Sequence, residues 1–174
     1  MRAQFVLVPF ATLAIVSPAC ATVYLSIAQA QKLMFPDATL TPDFRELTRE
    51  QVSAIEEASG VNVRNRKVQI WRVSTGGWFI ADEVVGKHEF IPFALGLDAG
   101  GAVKAVEILE YRESYGSQIR NQGWRDQFTG KRHGAKLTLA KDIQNISGAT
   151  LSSRHITDGI KRLLATYAIL VAQD

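Results

Sequence analysis

The sequence predicts an α+β fold, an antiparallel sheet with helices packed on it. Three observations carry this. Apolar residues follow a helical period before Gly60 and again from about Leu151, but alternate in the segments between Lys67 and Glu113. The alternating segments come in pairs separated by glycine-containing turns, the pattern of hairpins rather than crossovers. Strands therefore gather in the middle of the chain and helices at its two ends.

Each element has its own signal. Leu25–Ala38 (LSIAQAQKLMFPDA) reads as a short helix stopped near Pro36. In Leu47–Gly60, Thr48 and Gln51 have the spacing of a capping box and Gly60 is a C-terminal stop. KVQIWRV from Lys67 and GWFIADEVV from Gly77 form one strand pair around Ser74–Gly77. FIPFALGLD and AVKAVEILEYRE form a second, turning at Asp98–Gly101. Ser117–Gly130 is helical or turn-rich, and AKLTLA (Ala135–Ala140) reads as a short strand. In the closing helix Ile156, Ile160, Leu163, Leu164, Tyr167 and Leu170 make a core-facing stripe, with Asp158, Lys161 and Arg162 expected on or near the wet side.

The 174 residues, 47% hydrophobic and 21% charged, suit one globular domain with a real core. A net charge of +3 without a long basic run gives no case for nucleic acid as a partner. The N-terminus orders Arg2, an apolar run from Phe5 to Val16 and the triplet Ala19-Cys20-Ala21, as a secretory signal does. The run is shorter than the roughly 20 residues of a spanning helix. Residues 1–21 are thus expected to be a cleaved signal peptide and 22–174 the mature domain, soluble and periplasmic, associating with a membrane at most peripherally. Cleavage after Ala21 removes Cys20, the single cysteine. A lipoprotein anchored at Cys20 is the rival, but Ser17 and Pro18 fit that signal poorly.

Several chemistries find no support. His88, His133 and His155 are scattered without an HExxH spacing, and a solvated His155–Asp158 pair outweighs a metal site, so no metal is expected. Ser152, Ser153 and His155 lack a G-x-S-x-G elbow, and neither GxGxxG nor GxxxxGK[ST] occurs. Trp124 and Phe128, four residues apart, read first as core.

The richest local pattern is NISGATLSSRHITDGIKRLL, Asn145 to Leu164, in which Ser147, Gly148, Ala149, Thr150, Ser152 and Ser153 crowd a helix mouth. Hydroxyl residues there serve as caps, or the helix start holds an anion such as a phosphate. By spacing alone the cap is the stronger reading.

The residues themselves shift that balance. SGATLSS resembles the S/T-G-A-T-x-S/T signature of the FMN-binding domain family, which includes flavin-carrying subunits of the sodium-pumping quinone reductase and Rnf complexes and small exported flavoproteins. Leu95–Lys131 resembles the family's strand–turn–strand, E-T-P-G-like turn and W-x-x-x-F-x-G-K block. Glu113, Gly116, Trp124, Phe128, Gly130 and Lys131 match, while Ser114 and Tyr115 replace Thr-Pro. The likeness spans roughly Gly86 to Leu164.

The resemblance implies an α+β fold whose C-terminal helix starts at the attachment motif. It further implies FMN esterified through its phosphate to Thr150 by a flavin transferase that draws on FAD. Ser147, Gly148, Ala149, Ser152 and Ser153 would surround the phosphate; Glu113, Ser114, Tyr115, Gly116, Ser117, Trp124 and Leu151 would supply the ring slot. An acidic residue is usual three before Ser147; Gln144 stands there, with Asp142 two residues earlier. Tolerance of Gln144, service by Asp142 through a shifted loop, and inefficient modification all stay open. The implied function is electron carriage between a membrane redox complex and a soluble or membrane acceptor, with no catalytic acid or base because the flavin brings the chemistry. The alternatives are an exported binding or sensory module of the same fold without covalent flavin and, more weakly, a flavin reductase, for which no nicotinamide signature exists.

Overall fold

The computed structural model describes residues 22–113 and 115–171. Its elements, in chain order, are β1 (Thr22–Val23), α1 (Ile27–Met34), β2 (Leu40–Pro42), β3 (Arg45–Glu46), α2 (Arg49–Ser59), β4 (Lys67–Val73), β5 (Trp78–Val85), β6 (Phe90–Leu97), β7 (Val103–Ile108), β8 (Glu110–Tyr111), α3 (Gln122–Arg125) and α4 (Thr150–Leu170), with 3-10 turns at Ser117–Arg120 and Asp126–Phe128. β2 and β3 lie in succession along the outer edge of β4, and the antiparallel sheet continues through β5 and β6 to β7. The architecture is α+β, as the periodicity predicts.

Alternation gives the sheet two apolar faces. Ile70, Ile80, Val84, Ile91, Phe93, Leu95 and Val106 form one core with α2 and α4. Trp71, Val73, Phe79, Ala81 and Ala94 form another with Ala30 and Met34 of α1. The sheet is thus covered on both sides. Helix α4 lies close on it: a Cβ on Gly159 would fall 2.6 Å from Val84 Cγ1 and 3.1 Å from Phe93 Cζ. Ile156 and Ile160, both fully buried, contribute about 1.5–3 kcal/mol each by leaving water. That is enough to hold the first turns of α4 against the sheet, so its N-terminus has a fixed position.

Four differences from the sequence reading have physical causes. The strand expected over Ala102–Glu113 divides at Leu109, because Pro92 opposite has no N–H with which to continue the ladder; β8 turns away to pair with β1. Ala135–Ala140 is not a strand. Leu137 (φ 44°) and Ala140 (φ 66°) are left-handed, and the segment makes only an isolated bridge between Leu139 and Ile143. Arg162 is not on the wet side: it is 7% exposed, donating to Asp82 Oδ2 at 2.5 Å, so sheet and helix share a half-buried ion pair. Finally, Ser26 and Gln29 form a capping box on α1 that the sequence reading passed over, alongside the expected one at Thr48 and Gln51 on α2.

The expected signal peptide, residues 1–21, lies outside the described residues. Among the described residues no helix is long and apolar enough to cross a membrane.

Candidate functional site

Helix α4 begins at Thr150 with Ala149 as its N-cap residue, and no side chain caps it. The hydroxyls gathered there have other work. Ser153 Oγ turns back to donate to the Ala149 carbonyl at 2.9 Å, and Ser152 Oγ lies 2.9 Å from the Tyr111 hydroxyl. Thr150 Oγ1 accepts from Asn145 Nδ2 at 3.1 Å and is exposed. The first intrahelical bond is Ser153 N–H to Ala149 O, so the N–H groups of Thr150, Leu151 and Ser152 precede the ladder and point outward with the positive end of the helix dipole. The cap explanation for these hydroxyls therefore does not hold.

In front of this helix start opens a cleft of about 620 Å³, within the range of small-molecule sites. Its walls are Gly148–Ser152 on one side and Lys87, His88, Glu113 and Tyr115 on the other. Gly148 has φ +80° and open space where a Cβ would project, which keeps the approach to Thr150 clear. Leu151 (45% exposed) and Tyr115 (83% exposed) offer apolar surface at the rim.

The opposite wall is built from a clamped turn. Glu113 Oε1 accepts from the backbone N–H groups of His88 (2.6 Å) and Glu89 (3.1 Å), tying the β5–β6 hairpin to the segment after β8. Gly86 permits this closeness, since a Cβ there would fall 2.5 Å from that oxygen. Burial raises the Glu113 pKa, but the N–H groups of His88, Glu89 and Lys87 together outweigh it and hold the carboxyl below its usual value. A second tie runs through Tyr111, whose hydroxyl donates to the Tyr115 carbonyl at 2.5 Å and meets Ser152. Burial pushes the Tyr111 pKa up, against a lowering by Ser152, so the phenol stays a neutral donor. Gly116 (φ +99°) sits over that hydroxyl, where any Cβ would collide with it.

Not every residue named from the sequence reaches the cleft. Glu113, Tyr115, Gly148, Ala149, Thr150, Leu151 and Ser152 line it. Gly116 lies behind the wall, against Ala149 and Ser152. Ser147 and Ser117 are outside the lining, Ser153 is fully buried, and Ser114 lies outside the described residues. Trp124 is 6% exposed, stacked edge-on against Phe128 at 5.2 Å, with its indole N–H donating to the Gln144 carbonyl at 2.7 Å. It braces the loop leading to the cleft and lines none of it.

The acidic-residue question also has a geometry. Asp142 Oδ2 accepts the Thr138 N–H at 3.0 Å, which commits that carboxylate to its own turn, while Gln144 is exposed and held only by its backbone. Lys87, His88 and Asn145 were missed. The first two sit in a turn the sequence shows as a mere connection, and only the strand register carries it to Glu113.

The sequence of residues 86–165 matches the FMN-binding domain family. Over those residues the chain resembles an FMN-binding domain. The segment holds all the lining of the cleft, from Lys87 to Ser152. The chain is also similar to one of the subunits of the Na(+)-translocating ferredoxin:NAD(+) oxidoreductase complex of Acetobacterium woodii, 24% identical over 139 residues, covering 72% of this chain and 67% of that protein. The matched stretch starts at the β5–β6 turn, so β4 and β5 precede it yet share its sheet.

Proposed function

We propose that the protein is an exported electron-transfer subunit carrying FMN in phosphoester linkage to Thr150, with residues 22–174 acting as one flavin-bearing unit. The observation that carries the reading is the uncapped start of α4. Its first residue is an exposed threonine facing the cleft, and the hydroxyls of Ser152 and Ser153 beside it are already bonded within the protein. The cleft suits the cofactor's two ends. N–H groups and the helix dipole favour a phosphate, which would rest on Thr150 and the first turn. Leu151 and Tyr115 would cover part of the ring, with Lys87 supplying positive charge and Gly148 giving room. When bound, FMN supplies one- and two-electron transfer; the chain's residues position it and limit water's access.

Attachment forms a bond between Thr150 Oγ1 and the FMN phosphorus and breaks the pyrophosphate bond of FAD. AMP leaves, and the threonine proton passes to the flavin transferase. The similarity to a subunit of an oxidoreductase complex supports a membrane redox complex as partner. Export is supported by the order of the N-terminal signal.

Co-expression with a flavin transferase tests this. The expected product gains about 438 Da, FMN less water, and stays yellow after denaturation. Tandem mass spectrometry should place the adduct on Thr150. An unmodified Asp142–Arg154 peptide despite an active transferase would replace the reading with a module of the same fold that holds no covalent flavin. Gln144→Asp should raise the modified fraction, since it restores the usual acidic residue and Asp142 is engaged with Thr138.

A further inference from the structure

A second concavity, of about 370 Å³, lies on the far side of the loop that follows the W-x-x-x-F-x-G-K block. Its walls are Arg132, His133, Gly134, Ala135, Lys136 and Thr138 of that loop, Lys161 and Leu164 of α4, and Ala58 of α2. No carboxylate is among them. The loop is basic in sequence, Lys131-Arg132-His133 followed by Lys136, and the fold then adds Lys161 from a helix 25 residues further on (161 − 136). Arg132 is held by the Gly100 carbonyl at 3.0 Å, which fixes its guanidinium at the rim. Two acids that feel these cations stand outside the lining, Asp142 directly behind the wall residue Thr138. Asp142, near Lys136, is bonded to Thr138 N–H, and Asp158 lies one turn before Lys161 and outside the lining.

Concentrating cations in a concave site costs repulsion, and a solvated face would spread them instead. The small apolar floor of Ala58, Ala135 and Leu164 gives the pocket more room than a bare ion needs. Lys161 is eleven positions beyond Thr150 on α4, roughly 16 Å along its axis at 1.5 Å per residue, so this pocket is separate from the flavin cleft.

We infer that the pocket binds a phosphoryl group borne on a small organic moiety: a phosphomonoester or phosphodiester gripped by Lys136, Lys161, His133 and Arg132. Ammonium and guanidinium donors make charge-assisted bonds to its oxygens, and the apolar floor takes the attached carbon. The chemistry is shared by soluble phosphoesters and phospholipid headgroups.

The test titrates inorganic pyrophosphate into the isotope-labelled full chain. In parallel, phosphatidylglycerol–phosphatidylcholine vesicles are compared with phosphatidylcholine alone in sedimentation. Amide shifts at Gly134, Ala135, Lys136 and Lys161 that saturate identify the pocket, and Lys136→Gln with Lys161→Gln should weaken binding about tenfold or more. Both positions lie at the surface, so unchanged melting and circular dichroism serve as the folding control. Pyrophosphate binding without pelleting points to a soluble ligand. Pelleting on the anionic vesicles that the double variant loses points to a headgroup. Shifts confined to the Thr150 helix start, an undiminished affinity in the double variant, or no binding of either probe would overturn the inference.

Discussion

Helices α2 and α4 begin in opposite ways. Thr48 caps α2 by accepting from Gln51 N–H at 3.2 Å, and Thr48 N–H donates to Gln51 Oε1 at 2.9 Å; Ser26 and Gln29 do the same for α1. Helix α4 has more hydroxyls at its mouth than either and uses none as a cap. The difference separates stability from function. At α1 and α2, whose starts line no part of the cleft, a side chain closes off an N–H group. At α4, which faces the cleft, those groups stay available and the hydroxyls of Ser152 and Ser153 are tied down elsewhere, which is why the proposed attachment falls on Thr150.

The sharpest way to break this comparison is a pair of substitutions at the two starts. Thr150→Ala should abolish covalent flavin while leaving the melting temperature of the flavin-free protein nearly unchanged, because Thr150 caps nothing. Thr150→Ser should keep part of the modification through its primary hydroxyl. Thr48→Ala should do the reverse, costing about 1 kcal/mol of stability with flavin attachment intact. Equal destabilisation by the two alanines would mean that α4 is capped after all.

Much of this contrast was legible in the sequence, and the illegible part has a clear cause. The capping box at Thr48, the glycine stop at Gly60 and the alternating strands depend on neighbours in sequence, so periodicity reveals them. The SGATLSS motif is local too. The opposite wall of the cleft is not. Lys87 and His88 reach it only because β5 pairs with β6 and Glu113 reaches back across 25 residues to bind the turn. Arg162 misled for the same reason: its partner, Asp82, is 80 residues away on β5. Trp124 carries a motif residue's identity but a brace's position, which spacing cannot distinguish.

A second prediction concerns how the wall is held. Gly116→Ala places a Cβ against the Tyr111 hydroxyl in a backbone conformation that alanine resists. It should destabilise the protein by about 1–3 kcal/mol and reduce flavin attachment by displacing Tyr115. Chemical denaturation and the modified fraction report the two effects. A smaller change isolates one bond: Tyr111→Phe removes the donor to Tyr115 O and the contact with Ser152. The expected cost is about 1 kcal/mol, with attachment retained and a shifted flavin absorption band. An unshifted spectrum would mean that the Tyr115 segment does not touch the ring.

The smallest expected effect separates the clamp from the helix start by pH. Glu113 has its folded-state pKa held below the usual 4.5, with backbone N–H donors overcoming the opposing effect of burial. A carboxyl lowered on folding adds stability that is fully present above its unfolded value and is lost as pH falls through its folded value. Because the group is partly in water, the contribution is under about 1 kcal/mol. Glu113→Gln keeps the shape but not the charge. The melting-temperature gap between wild type and Glu113→Gln should therefore be constant around neutral pH and shrink below about pH 4.5. Thr48→Ala should show a pH-independent gap, since a hydroxyl cap does not titrate. A gap for Glu113→Gln that stays open into acid would remove the ionised clamp from the wall and leave Gly86 packing as its support.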